Sequence, residues 1–127
     1  WVRYKTIDEW NEKFLQKTLK KLWVSIKSGG YLLVNISDVY ASSGAKQKRL
    51  NSHGKKWLEI CNPMNDFLST FHDSEYQGCI GMEMAQRPNS GGAGTASDER
   101  FTEESLQLAQ ETSGKTFCEP IWIWRKL

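Results

Sequence analysis

The stretch from Thr6 to Ile36 limits the fold more than any other part of the chain. Thr6-Ile-Asp-Glu9 has the form of a capping box, in which Thr6 accepts from the Glu9 amide and Glu9 reaches back. Apolar residues then recur at Trp10, Phe14, Leu15, Leu19, Leu22, Trp23 and Ile26, with Lys, Glu and Gln between them. That is helical spacing over about five turns. Ser28-Gly29-Gly30 supplies a left-handed stop. Tyr31 to Ile36 follows at once as a nearly unbroken apolar run. A run without alternation predicts a strand covered on both faces, the kind found in parallel or mixed sheets. A helix feeding such a strand makes the chain an α/β protein.

The rest of the chain extends this pattern. Residues 41–56 are rich in Ser, Gly and Lys and form a basic loop. Trp57 to Ile60 is a brief strand or a turn of helix. Asn62-Pro63 then starts a second helix, with Asn62 as cap and Pro63 at the first helical position. Met64, Phe67, Leu68 and Phe71 give that helix its buried face, and it ends near Asp73. Gly78 to Gln86 and Glu119 to Lys126 are strands, joined by a long excursion over residues 88–117 that includes a short acidic helix from Asp98 to Thr112. The order helix, strand, helix, strand, strand predicts a mixed sheet with a C-terminal antiparallel strand pair. The 127 residues suit a single domain with a real core.

Composition narrows the class. The formal net charge is +2, so bulk charge does not make the chain a polyanion binder. The charge is uneven, however. Ala41 to Trp57 holds Lys46, Lys48, Arg49, Lys55 and Lys56 and no acid, whereas Asp98 to Glu111 holds five acids and one Arg. Cys61, Cys79 and Cys118 are odd in number and widely spaced, which argues against a cysteine zinc site and for reduced thiols in a cytoplasmic protein. No apolar run approaches the length of a membrane span, and no signal peptide is visible. His53 and His72 lack partners at ligand spacing, so no metal site is expected. Asn89-Ser-Gly-Gly-Ala-Gly-Thr95 lacks the Lys-Ser/Thr ending of a phosphate-binding loop.

The candidate site residues come from position. In open α/β sheets, ligands bind beyond the carboxyl ends of the strands. Asn35, Ser37 and Asp38 lie there, either as a polar strand exit or as the lining of a site. The lysines of the following loop either keep it solvated or hold phosphates. Arg87 before Pro88 is a surface charge or a nucleic-acid contact, and Glu119 pairs with a nearby base or, in a structural role, bonds a turn amide. Trp122 and Trp124 share one face of the last strand, and Ile121 and Ile123 share the other.

"YKTIDEWNEKFLQKTLKKLWVSIKSGGYLLVNISD" and "CEPIWIWRK" resemble segments of S-adenosylmethionine-dependent amino-methylating (N6-adenine or N4-cytosine) DNA methyltransferases. The first resembles the segment after the family's Asp-Pro-Pro-Tyr motif, where an amphipathic helix ends in a Gly pair and feeds a strand with a polar exit. The second resembles the family's closing strand, where Glu-Pro-Ile precedes an apolar strand ending in Arg or Lys. The resemblance covers most of the chain in order and implies a partial Rossmann-like methyltransferase fold. It also implies S-adenosylmethionine as cofactor and DNA as substrate. Asn35, Ser37 and Asp38 would face the target-base pocket, and Lys46, Lys48, Arg49, Lys55 and Lys56 the DNA backbone.

The departures are as informative. The catalytic Asp/Asn/Ser-Pro-Pro-Tyr/Phe/Trp motif and the cofactor-holding Phe-x-Gly-x-Gly segment are both missing from these residues. The chain is therefore expected to be a fragment that does not catalyse methyl transfer alone. Its partners would be DNA and either the missing half of the enzyme or a second copy docked on an exposed sheet edge. The alternative is a non-catalytic module that keeps this half-fold for nucleic-acid or protein binding. A methyltransferase acting on a small molecule or a protein is a third reading.

Overall fold

The computed structural model describes residues 3–40, 57–84 and 117–127, which form a mixed α/β arrangement around a small three-stranded antiparallel sheet. The first helix is one rod in three parts: α1 (Ile7–Trp10), a π-helical segment (Asn11–Gln16) and α2 (Lys17–Ser25). Its start has the Thr6 half of the capping box, while Glu9 reaches back one residue further, to Lys5. The Glu9 amide donates to Thr6 Oγ1 at 3.1 Å. Glu9 Oε2 accepts the Lys5 amide at 2.8 Å, and Oε1 accepts Lys13 Nζ at 2.7 Å.

Ile7, Asn11, Leu15, Leu19 and Trp23 are the buried positions of this rod, each four residues after the last. In a regular α-helix a step of four overshoots the turn by about 40°, so such a series drifts off its face. The wider π turns between Asn11 and Gln16 offset the drift and keep the series on one side. Phe14 and Leu22, members of the predicted apolar series, are 45% and 47% exposed.

The helix ends earlier than the Gly pair. Ile26 is already extended, and Gly29, with φ +81, makes the turn into the sheet. A Cβ on Gly30 would come within 2.7 Å of Ile26 Cγ2, so this position holds the strand close under the helix. The Gly29 amide donates to the Lys126 carbonyl at 2.7 Å, and the Lys126 amide to the Gly30 carbonyl at 2.8 Å. The ladder is thus continued beyond β1 (Tyr31–Asn35).

A short antiparallel pair follows, β2 (Val39–Tyr40) with β3 (Trp57–Leu58). Then come α3 (Cys61–Ser69), β4 (Ser74–Met84) and β5 (Phe117–Lys126). The predicted C-terminal antiparallel pair is present, since β4 runs antiparallel to β5 from Ser74↔Lys126 to Met84↔Phe117. β5 is central: β1 lies antiparallel on its other side, with Leu33 opposite Ile123. A parallel neighbour that would make the sheet mixed is not found among the described residues.

One face of the sheet carries the core. Trp122 and Trp124, 1% and 5% exposed, pack with Leu58, Met64 and Leu68 between the sheet and the helices. A bulge between Tyr76 and Gly78, with Gly78 at φ +115, lets Tyr76 and Cys79 both turn toward this face. The other face is open among the described residues. Leu33 is 57% and Ile80 50% exposed, with Ile121 and Ile123 half-buried between them. The expected two-sided cover of Tyr31 to Ile36 is therefore corrected: burial alternates along β1 because all the described helices that touch the core lie on one side.

The second helix begins at Cys61, with Ile60 as its N-cap and no side-chain cap at that residue. Asn62, expected to be the cap, is exposed inside the first turn. The capping group comes from elsewhere in the chain, as described below. The basic loop (41–56), most of the long excursion (88–117), Arg87, His53 and the acidic segment from Asp98 to Thr112 lie outside the described residues.

Candidate functional site

The carboxyl end of β1 is built by four side chains brought in from distant positions. After Asn35 the chain leaves the sheet through Ile36 and Ser37, and Asp38 turns its carboxylate toward α3. Asp38 Oδ1 accepts the Ile60 amide at 2.7 Å and the Cys61 amide at 2.9 Å. These are the first amides of α3, which lack partners within the helix. Asp38 thus supplies the cap that a local residue does not. A carboxylate at a helix N-terminus is also favoured by the positive end of the helix dipole.

Burial is the dominant influence on Asp38. It raises the carboxyl above its ordinary value of 3.8, and the two amide bonds only partly counter it. Next to it the Cys61 thiol donates to the Ile36 carbonyl at 3.5 Å. Burial pushes this thiol far up, with the Asp38 charge adding to the effect, so it stays protonated and unreactive at neutral pH. The Trp122 indole N–H donates to the same Ile36 carbonyl at 3.1 Å. One backbone oxygen at the strand exit therefore takes both Trp122 and Cys61.

Asn11 completes the group. It is 4% exposed, and its Nδ2 donates to the Glu59 carbonyl at 3.1 Å. Its Oδ1 is sealed from solvent and has no hydrogen-bond partner among the described residues. Leaving such an atom unpaired costs about 1–3 kcal/mol. Sequence reasoning passed over Asn11. The signal available was a polar residue standing in a four-residue series of otherwise buried apolar positions.

Asn35, Ser37 and Asp38 do not converge as side chains. Asn35 is exposed and follows Tyr31 and Leu33 on the open face, opposite Ile121 in register. Ser37 is half-buried, and Asp38 is turned under the opposite face toward α3. Glu119 is half-buried beside Met82 in register, and Trp122 and Trp124 divide from Ile121 and Ile123 as the alternation requires. His72 is exposed in the turn before β4. Lys46, Lys48, Arg49, Lys55 and Lys56 lie outside the described residues.

The polar groups at this strand exit mostly serve one another. Asp38 Oδ1, the Cys61 thiol, the Trp122 indole and the Ile36 carbonyl are all engaged in internal bonds. Among the described residues these groups form no cradle for a nucleoside cofactor. The arrangement acts as a rigid exit that sets where residues 36–38 leave the sheet. No helix among the described residues is long and apolar enough to cross a membrane. A scan against protein-family models, a search of curated proteins and a search of solved structures each returned no match.

Proposed function

We propose that the chain is part of an amino-methylating DNA methyltransferase and forms the portion of its domain that closes the sheet beside the target base. The parent reaction moves a methyl group to an exocyclic amine of adenine or cytosine. When bound by the whole enzyme, S-adenosylmethionine supplies the electrophilic methyl group. The Rossmann-like completion of the sheet belongs to the same proposal.

One observation carries this reading: the succession of elements together with their local sequences. An amphipathic helix gives way through a Gly pair to a strand that exits at Asn35-Ile-Ser-Asp38. A second helix and an antiparallel strand pair follow, and the last strand is Glu119-Pro-Ile-Trp-Ile-Trp-Arg-Lys126. In this reading the residues of the chain position rather than react. Asp38, Trp122 and Cys61 fix the strand exit that borders the base pocket. Lys46, Lys48, Arg49, Lys55 and Lys56 follow the same exit and meet backbone phosphates. An extruded base must leave its stack, at a cost of a few kcal/mol, and phosphate contacts near the pocket help to offset it.

Two measurements test the proposal. The coding sequence upstream of Trp1 is expected to carry an Asp/Asn/Ser-Pro-Pro-aromatic motif in frame. An in-frame start with no such motif sinks the methyltransferase reading. Binding of a fluorescent DNA duplex, followed by anisotropy, tests the loop. Five phosphate contacts predict about a 500-fold loss of affinity between roughly 50 and 200 mM salt. Reversing the five charges to Glu is expected to abolish that dependence. Affinity indifferent to both salt and reversal removes DNA as the partner.

A further inference from the structure

We infer that Asn11 is a positioning residue for the strand exit at residues 36–38, acting through the peptide group between Glu59 and Ile60. The carbonyl of that group accepts Asn11 Nδ2 at 3.1 Å, and its N–H donates to Asp38 Oδ1 at 2.7 Å. One rigid plane is therefore gripped from both sides. Turning it to release Asn11 also turns its N–H away from Asp38. Asn11 on the first helix and Asp38 beyond β1 are linked through this one peptide group.

Two further observations separate this role from simple packing. The Asn11 Oδ1 is buried without a hydrogen-bond partner among the described residues, so the side chain leaves one polar atom unpaired in order to donate to the Glu59 carbonyl. The side chain is thus poorly chosen for burial but suited to holding a carbonyl. In addition, the π segment begins at Asn11. Segments of this kind concentrate at functional positions in helices.

That the exit borders a base pocket rests on the methyltransferase reading; the coupling itself does not. Amide hydrogen exchange on the purified 127-residue chain tests the coupling directly. In Asn11→Leu, the Ile60 and Cys61 amides are expected to exchange about tenfold faster relative to those of Leu19 and Trp124. If all four accelerate together, or none changes, Asn11 is a packing residue and the inference is overturned. Should Asn11→Leu not fold, Asn11→Ala gives the same comparison.

A double-mutant cycle with Asp38→Ser provides the second readout. The two substitutions are expected to be non-additive by about tenfold in the unfolding equilibrium, because both release one peptide group. Additive effects overturn the coupling. Neither experiment uses DNA or cofactor, so either can fail while the salt-dependence test succeeds, and the reverse.

Discussion

Where β1 begins, Asp73 accepts the Trp23 indole N–H at 2.8 Å and lies 3.8 Å from Lys126 Nζ, which also donates to the Trp23 carbonyl at 3.0 Å. Where β1 finishes, Asp38 accepts two backbone amides and has no cation among its described hydrogen-bond partners. Both aspartates tie a strand end to a helix, yet their environments push them in opposite directions. The Trp23 bond holds the Asp73 carboxyl below the ordinary carboxylate value, whereas burial holds Asp38 above it. The first end is half in solvent and its polar groups are matched by charge. The second is drier and keeps an unpartnered oxygen on Asn11. When local chemistry fails to satisfy every group, the exception points to the part of the molecule under a requirement other than stability.

The largest expected effect removes the core residue that anchors the second end. Trp122 lies at the centre of the core and bonds the Ile36 carbonyl, so Trp122→Ala is expected to cost about 4 kcal/mol in urea denaturation. A loss below about 1.5 kcal/mol would mean that β5 does not organise the two ends. Asp38→Ala comes next, at about 2 kcal/mol, through two lost amide bonds at a helix start. Asp73→Ala is expected to cost clearly less, and the reverse order would break the comparison.

A pH series sharpens it. Asp38 has a folded-state value above its unfolded value of 3.8, so its contribution is greatest when protonated and falls as pH rises through the raised value. Asp73 has a lowered value, so its contribution is present above 3.8 and is lost as pH falls through the folded value. Asp38→Asn is therefore expected to remove a downward slope above 3.8, and Asp73→Asn an upward slope below it. Equal slopes in the two variants would refute the contrast. The smallest effect is Gly29→Ala, expected to cost about 1 kcal/mol at a φ of +81.

The sequence made the first of these ends more legible than the second. At the first end the turn at Gly29 is encoded by near neighbours, and the structure has it; the Thr6 cap at the opposite end of the helix is equally local. The antiparallel closing pair was readable from two apolar runs. The cap of α3 was not, because Asp38 reaches it from 22 and 23 residues away while Asn62 offered a plausible local substitute. The open face of β1 was missed for a related reason. An apolar run records that a strand is hydrophobic, but the side on which the helices settle is decided by tertiary packing. Of the candidate site, Asp38 was singled out for its position and found in a capping role. Asn11 went unnoticed because its importance depends on a turn geometry that periodicity of 3.6 does not describe.

The π segment also has a meaning in the language of insertions and deletions. A turn that holds one residue more than its neighbours is a place where the chain tolerates a change of length. Deleting one residue from positions 12 to 14 would leave Ile7 and Leu15 seven apart, two regular α-turns, and both would still reach the core. The helix would become more regular, and position 11, about 40° from Ile7 in a regular α-helix, would stay on the inner side. Length variants of this helix are therefore expected to keep both the core series and the inward amide, a tolerance that counting substitutions alone would not reveal.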